Sequence, residues 1–136
     1  MAHSIRTRVG EVFLDANRFV VVRYNEIAEI GMKDLVEIEN AVFSLTDGRD
    51  AYVLAILGKY SVTTNEARHY LQKAKTPCTL AQAVVVHSVA QRVIGNFYAR
   101  FKQKEFPVRM FGSRNDATNW LLELKKRELV LEAVPA

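Results

Sequence analysis

Along the chain the apolar positions change period, and each change marks an element. Arg6–Leu14 carries Val9, Val12 and Phe13, Phe19–Tyr24 is mostly apolar, and Asp15-Ala16-Asn17-Arg18 lies between them. Two β-rich runs around an Asp/Asn-containing turn predict an antiparallel hairpin. Asn25–Ile30 fits no single period. From Met32 the spacing becomes helical, with Leu35, Ile38, Val42 and Leu45 on one face and acids on the other. Thr46-Asp47-Gly48 ends this helix, because Gly48 can take the left-handed conformation.

One pattern then occurs three times. Tyr52–Leu57 is an apolar run followed by a helix striped with Ala67, Tyr70, Leu71 and Ala74. Ala83–Val86 precedes a stripe of Ala90, Val93, Ile94, Phe97, Tyr98 and Phe101. Val108–Phe111 precedes Ala117, Trp120, Leu121 and Leu124. Short continuous apolar strands alternating with helices predict an α/β fold, with a mostly parallel sheet and helices packed on it. Thr63-x-x-Glu66, Ser88-x-x-Gln91 and Ser113-x-x-Asp116 stand just beyond the three runs. They read as capping boxes, in which the hydroxyl accepts from the N3 amide. Residues 128–136 leave three readings open: a last helical turn, a docked tail or a dimer contact.

Length and composition narrow the class. A chain of 136 residues, 49% hydrophobic and 25% charged, fits one globular domain over 1–136, with 1–4 and 128–136 as tails. Cys78 is the sole cysteine, so no intramolecular disulfide is possible and a reducing compartment is expected. The N-terminus shows no signal-peptide pattern, and the apolar runs are far shorter than the ~20 residues of a membrane span. The expectation is a cytoplasmic protein without membrane insertion. The net charge of +4 is uneven: Glu26–Asn40 carries −4 and Ser88–Arg127 carries +6. The bases form no short run with interleaved aromatics, so nucleic acid is not expected as a partner.

The carboxyl ends of the three parallel strands are where an open α/β sheet tends to bind ligands, against helix N-termini. That edge is expected to gather Lys59, Ser61, Thr63, Thr64, His87, Ser88, Ser113 and Arg114, with Arg68 and Arg92 one turn in. It is a candidate anion or phosphorylation locus. The plainer alternative is that the hydroxyls only cap helices, at about 1 kcal/mol each. His87 beside Ser88 is not expected to be a catalytic pair, since neighbours at a strand end point in different directions. His3, His69 and His87 show no metal spacing, and Gly58, Gly95 and Gly112 form no phosphate loop. No cofactor is expected. Gly95 reads as a close-packing position on the sheet. Phe97, Tyr98, Phe101, Phe106, Phe111 and Trp120 read as core, the alternative being a pocket for an apolar ligand.

The order strand, strand, helix, then strand–helix three times resembles the SpoIIAA-like (STAS-type) fold, and more closely a group of small uncharacterised bacterial proteins given that fold. The residues that carry the resemblance are Asn65-Glu66-Ala67-Arg68, Ala83-Val84-Val85-Val86-His87-Ser88, Arg92 to Tyr98, Phe101-Lys102, Phe106 to Phe111, Ala117 and Trp120-Leu121. The match runs from Tyr52 to Leu124. The better-known relatives are anti-sigma-factor antagonists, switched by phosphorylation of a serine in an Asp-Ser-Ser-Gly-like motif after the third strand. Here that place reads Thr63-Thr64-Asn65-Glu66, so the motif is absent while hydroxyls remain.

The resemblance implies a non-enzymatic regulatory or protein-interaction domain, acting as a homodimer or on another protein. The alternative is a domain that binds a small ligand, a lipid or an anionic metabolite, between helices and sheet.

Overall fold

The computed structural model describes residues 4–76 and 78–133. The chain opens with β1 (Ser4–Arg6), β2 (Gly10–Leu14) and β3 (Val20–Tyr24), an antiparallel meander. There follow β4 (Glu29–Ile30), α1 (Met32–Thr46), β5 (Ala51–Ile56), β6 (Val62–Thr63) and α2 (Asn65–Lys73). The last third holds β7 (Thr79–Val85), α3 (Val89–Lys102), β8 (Val108–Phe111) and α4 (Arg114–Ala133). Six strands form one sheet in the order β1-β2-β3-β5-β7-β8, with β3, β5, β7 and β8 mutually parallel. The short β4 and β6 pair apart from it. This is the mostly parallel α/β architecture that the periodicity predicts.

Strand alternation divides the core between two faces. Val20, Val22 and Val53 pack with Leu35, Ile38 and Ala41 of α1 and Ala67 of α2, and Ala55, Val84 and Met110 pack with Ala99 of α3. The intervening Val21, Leu54, Ala83 and Val85 face the other way and meet Ala117 and Leu121 of α4. Helices α1, α2 and α3 therefore share one face of the sheet, and α4 covers the opposite face. Tyr70 of α2 donates to Glu39 Oε2 of α1 at 2.6 Å. None of the described helices is long and apolar enough to cross a membrane.

Several boundaries differ from the sequence reading, each for a local reason. The run Arg6–Leu14 is two strands, because Thr7 turns back on Gly10, its amide donating to the Gly10 carbonyl at 2.8 Å. The cap of α2 is Thr64, which accepts from the Ala67 amide at 3.0 Å, whereas Thr63 belongs to β6. Ser88 caps α3 as expected, but Gln91 Oε1 reaches the amide of His87 rather than that of the cap. Residues 128–133 continue α4; residues 134–136, the rest of the predicted tail, lie outside the described residues.

The aromatic residues divide as well. Phe106 is buried and Phe111 packs on Trp120 beneath α4, but Phe97 and Phe101 are 50% and 44% exposed. The sheet-facing side of α3 is made by Gly95, where a Cβ would run into Met110, together with Ala99, while the buried Lys102 reaches the Ala74 carbonyl after α2. The expected close packing at Gly95 is present. Of the apolar stripe, Tyr98 packs toward the sheet, whereas Val93, Phe97 and Phe101, with the neighbouring Val89, are exposed.

Near the N-terminus Arg8 forks onto Asp34, Nε to Oδ1 at 2.8 Å and Nη2 to Oδ2 at 2.5 Å, and the amide of Gly31 adds a third donor at 2.8 Å. The Arg8 hydrogen bond, helped by the Gly31 amide and by Arg8's charge, outweighs burial and holds the Asp34 carboxyl below its ordinary range. An acid with a depressed native pKa contributes stability above its unfolded pKa and loses it as pH falls. Thermal unfolding from about pH 5 down to about pH 2 should therefore show a destabilisation that Asp34→Asn flattens. Equal acid slopes in the two proteins would remove this pair from the account. Added salt should weaken the effect, because the guanidinium side is largely exposed.

Candidate functional site

Between α2, α3 and the parallel strands lies a cleft of about 500 Å³, a size common for small-molecule sites. Its floor is the helix-covered face of the sheet: Ala55 of β5, Gln82 and Val84 of β7 and Met110 of β8, with Tyr24 from the end of β3. Leu71 of α2 and Ile94 and Tyr98 of α3 form the walls. The lining is mainly apolar because it is made by strand and helix side chains of the face that α2 and α3 cover.

The rim is polar and sits at the carboxyl ends of β5 and β7. His87 Nε2 is 2.7 Å from the carbonyl of Leu57. A carbonyl only accepts, so Nε2 donates in this bond. Gln91 Nε2 donates to the carbonyls of Gly58 and Ser61 at 2.9 and 3.1 Å, tying the loop after β5 to α3. Arg68 donates to the carbonyl and the hydroxyl of Thr63 at 2.6 and 3.2 Å. The ammonium of Lys59 lies over the exposed ring of Tyr60.

Of the residues expected at this edge, Lys59, Ser61, Thr63, His87 and Ser88 line the cleft. Thr64 stands one residue away as the α2 cap. Arg114 does not join them: it begins α4, on the opposite face, and Ser113 accepts there from the Asp116 amide. The sequence reading placed both by strand order alone, which does not say which face the following helix takes. Ser61 is 4% exposed and donates to the Gly58 carbonyl at 3.0 Å, so its hydroxyl holds the loop and is not presented at the surface. Ser88 and His87 make no bond to each other; Ser88 accepts from the Gln91 amide. Among the described residues no three His, Cys, Asp or Glu side chains gather as metal ligands would.

The fold and the cleft can be set beside known proteins. The family described as Domain of unknown function (DUF7793) matches residues 13–125. The chain belongs to this family. No curated protein matches it. Among solved structures, this DUF7793 chain is similar to an uncharacterised protein of the DUF3478 family from Shewanella loihica PV-4, which has a SpoIIAA-like fold. The two share 12% identity over 89% of this chain and 92% of the other, with a TM-score of 0.52. At that identity the likeness shows the fold, and the SpoIIAA-like resemblance read from the sequence holds.

The DUF7793 cleft also uses residues that sequence reasoning passed over. Tyr24, Leu71, Gln82 and Gln91 all line it. Gln82 had a readable signal, a polar residue inside the strand Thr79–Val85, but the apolar run on which the reading rested begins one residue later.

Proposed function

We propose that this DUF7793 domain is a non-enzymatic binding protein for a small amphipathic molecule with an apolar body and an anionic head. The observation that carries the reading is the cleft: about 500 Å³, apolar along floor and walls, with Lys59, Arg68 and His87 at its rim. At ~30 Å³ per water-sized group it takes on the order of fifteen non-hydrogen atoms, which suits a medium-length acyl chain. Each methylene withdrawn from water contributes about 0.8 kcal/mol before the cost of association. The rim cations favour an anionic head and do little for an uncharged one. A non-enzymatic role is supported by the commitments of the rim: His87 bonds a backbone carbonyl and Ser88 caps a helix.

Isothermal titration with dodecanoate tests the reading. One saturable site per chain is expected, weakened by salt. Lys59→Ala should lower affinity about two- to fivefold at low salt and less at high salt. The absence of saturable binding would sink the proposal.

A second reading, a regulatory protein-interaction domain that pairs as a homodimer, draws on the exposed apolar stripe Val89, Val93, Phe97 and Phe101 of α3. Its sign would be a dimer in solution whose formation buries that stripe.

A further inference from the structure

We propose that the ligand of this cleft carries an uncharged oxygen, a hydroxyl or carbonyl, at the end that lies deepest against the sheet; this rests on the binding role proposed above. Gln82 pairs in register with Val53 and Val108 in the body of the sheet. It lies five residues before His87, about 16 Å of strand below the rim. Its carboxamide oxygen accepts the hydroxyl of Tyr98 at 2.7 Å. Burial and the neighbouring Tyr24 keep Tyr98 protonated well above the ordinary phenol range, so its hydroxyl is able to donate in this bond. The other end of the amide, Nε2, then holds N–H groups with no partner among the described residues.

Tyr24, from the carboxyl end of β3 and close enough to Tyr98 to act on its phenol, offers a second donor. Burial first, then the charges of Glu39 and Asp34, hold its phenol protonated, and the hydroxyl likewise has no partner among the described residues. Every fully enclosed polar side-chain atom among the described residues is hydrogen-bonded. These two unpaired donors are therefore reachable, and the space that reaches them is the cleft that both residues line. An apolar cavity with two unfilled donors at its floor is matched by an acceptor. That acceptor is uncharged, since the basic side chains of the lining, Lys59, Arg68 and His87, all belong to the rim. A carboxylate at the floor would be buried without a counter-ion. A chain ending in a methyl group would cover both donors and leave them unpaired, and sites of this kind discriminate against the analogue that lacks the polar group.

The test is isothermal titration of the full chain with dodecanoate and with ω-hydroxydodecanoate. The hydroxy acid is expected to bind about tenfold tighter or more. Tyr24→Phe and, separately, Gln82→Leu should bring the two acids within about threefold of each other by weakening the hydroxy acid alone. Tyr24→Phe serves if the loss of Tyr98's acceptor in Gln82→Leu prevents folding. Equal affinities in the wild type, tighter binding of the plain acid, or a preference that survives the variants would overturn the acceptor and leave the cleft's role standing. If neither acid binds, the binding role fails and this proposal fails with it.

Discussion

Replacing Gly58 with alanine is expected to cost the fold about 2–3 kcal/mol, an overpacking penalty that cannot relax through side-chain motion. A Cβ at this position would run into the carbonyl of Asn25 and the Cα of Glu26, which are backbone atoms. The two segments approach each other there too closely for a methyl group. The same residue anchors the rim, since its carbonyl accepts from the Ser61 amide, the Ser61 hydroxyl and Gln91 Nε2 at 3.1, 3.0 and 2.9 Å. A shift of Gly58 therefore moves the loop that carries Lys59 and Ser61, and ligand affinity should fall along with stability. Urea denaturation reads the first effect as a lower midpoint at an unchanged slope. Gly112→Ala is the control, because the added methyl meets only the Arg92 guanidinium at 3.6 Å. Equal midpoints for the two variants would show that the approach at Gly58 opens without cost.

Leu121→Ala is expected to cost about 2–5 kcal/mol, the usual range for a fully buried leucine. Leu121 is 0% exposed and fastens α4 to Leu54, Ala83 and Val85. Nothing else among the described helices covers that face, so the cavity left behind has little with which to fill. The functional consequence is the informative part. The cleft lies on the opposite face, so the folded fraction of Leu121→Ala should bind dodecanoate as the wild type does. A large loss of affinity in still-folded Leu121→Ala would mean that the two faces are mechanically coupled, contrary to the division of the core described above.

The strands and helices from Tyr52 onward were legible because their signals are local. A continuous apolar run at Leu54 or Val84 and a hydroxyl at Ser88 or Ser113 state their role within a few residues. The break between β1 and β2 was not legible, since the Thr7–Gly10 turn has no period of its own. The stripe of α3 was read as core because periodicity tells which residues share a face and not whether another element covers it. Phe97 and Phe101 share the stripe with Tyr98, yet they pack edge-on to each other in the open. The site was half legible. Lys59, Ser61, Thr63, His87 and Ser88 follow from strand order, whereas the exclusion of Arg114 depends on which side of the sheet α4 takes. Tyr24 and Gln82 join the floor through long-range strand pairing, which no short window of sequence contains.

The most direct measurement is native and denaturing mass spectrometry of the wild type and of Ile94→Trp, each incubated with dodecanoate. Ile94 lines the cleft from α3 and is 43% exposed, so a larger ring there can fill the cleft without breaking the core. The account predicts one added ligand mass per wild-type chain under native conditions, lost on denaturation, and none on Ile94→Trp. A bare wild-type chain, or equal adducts on the two proteins, would contradict it.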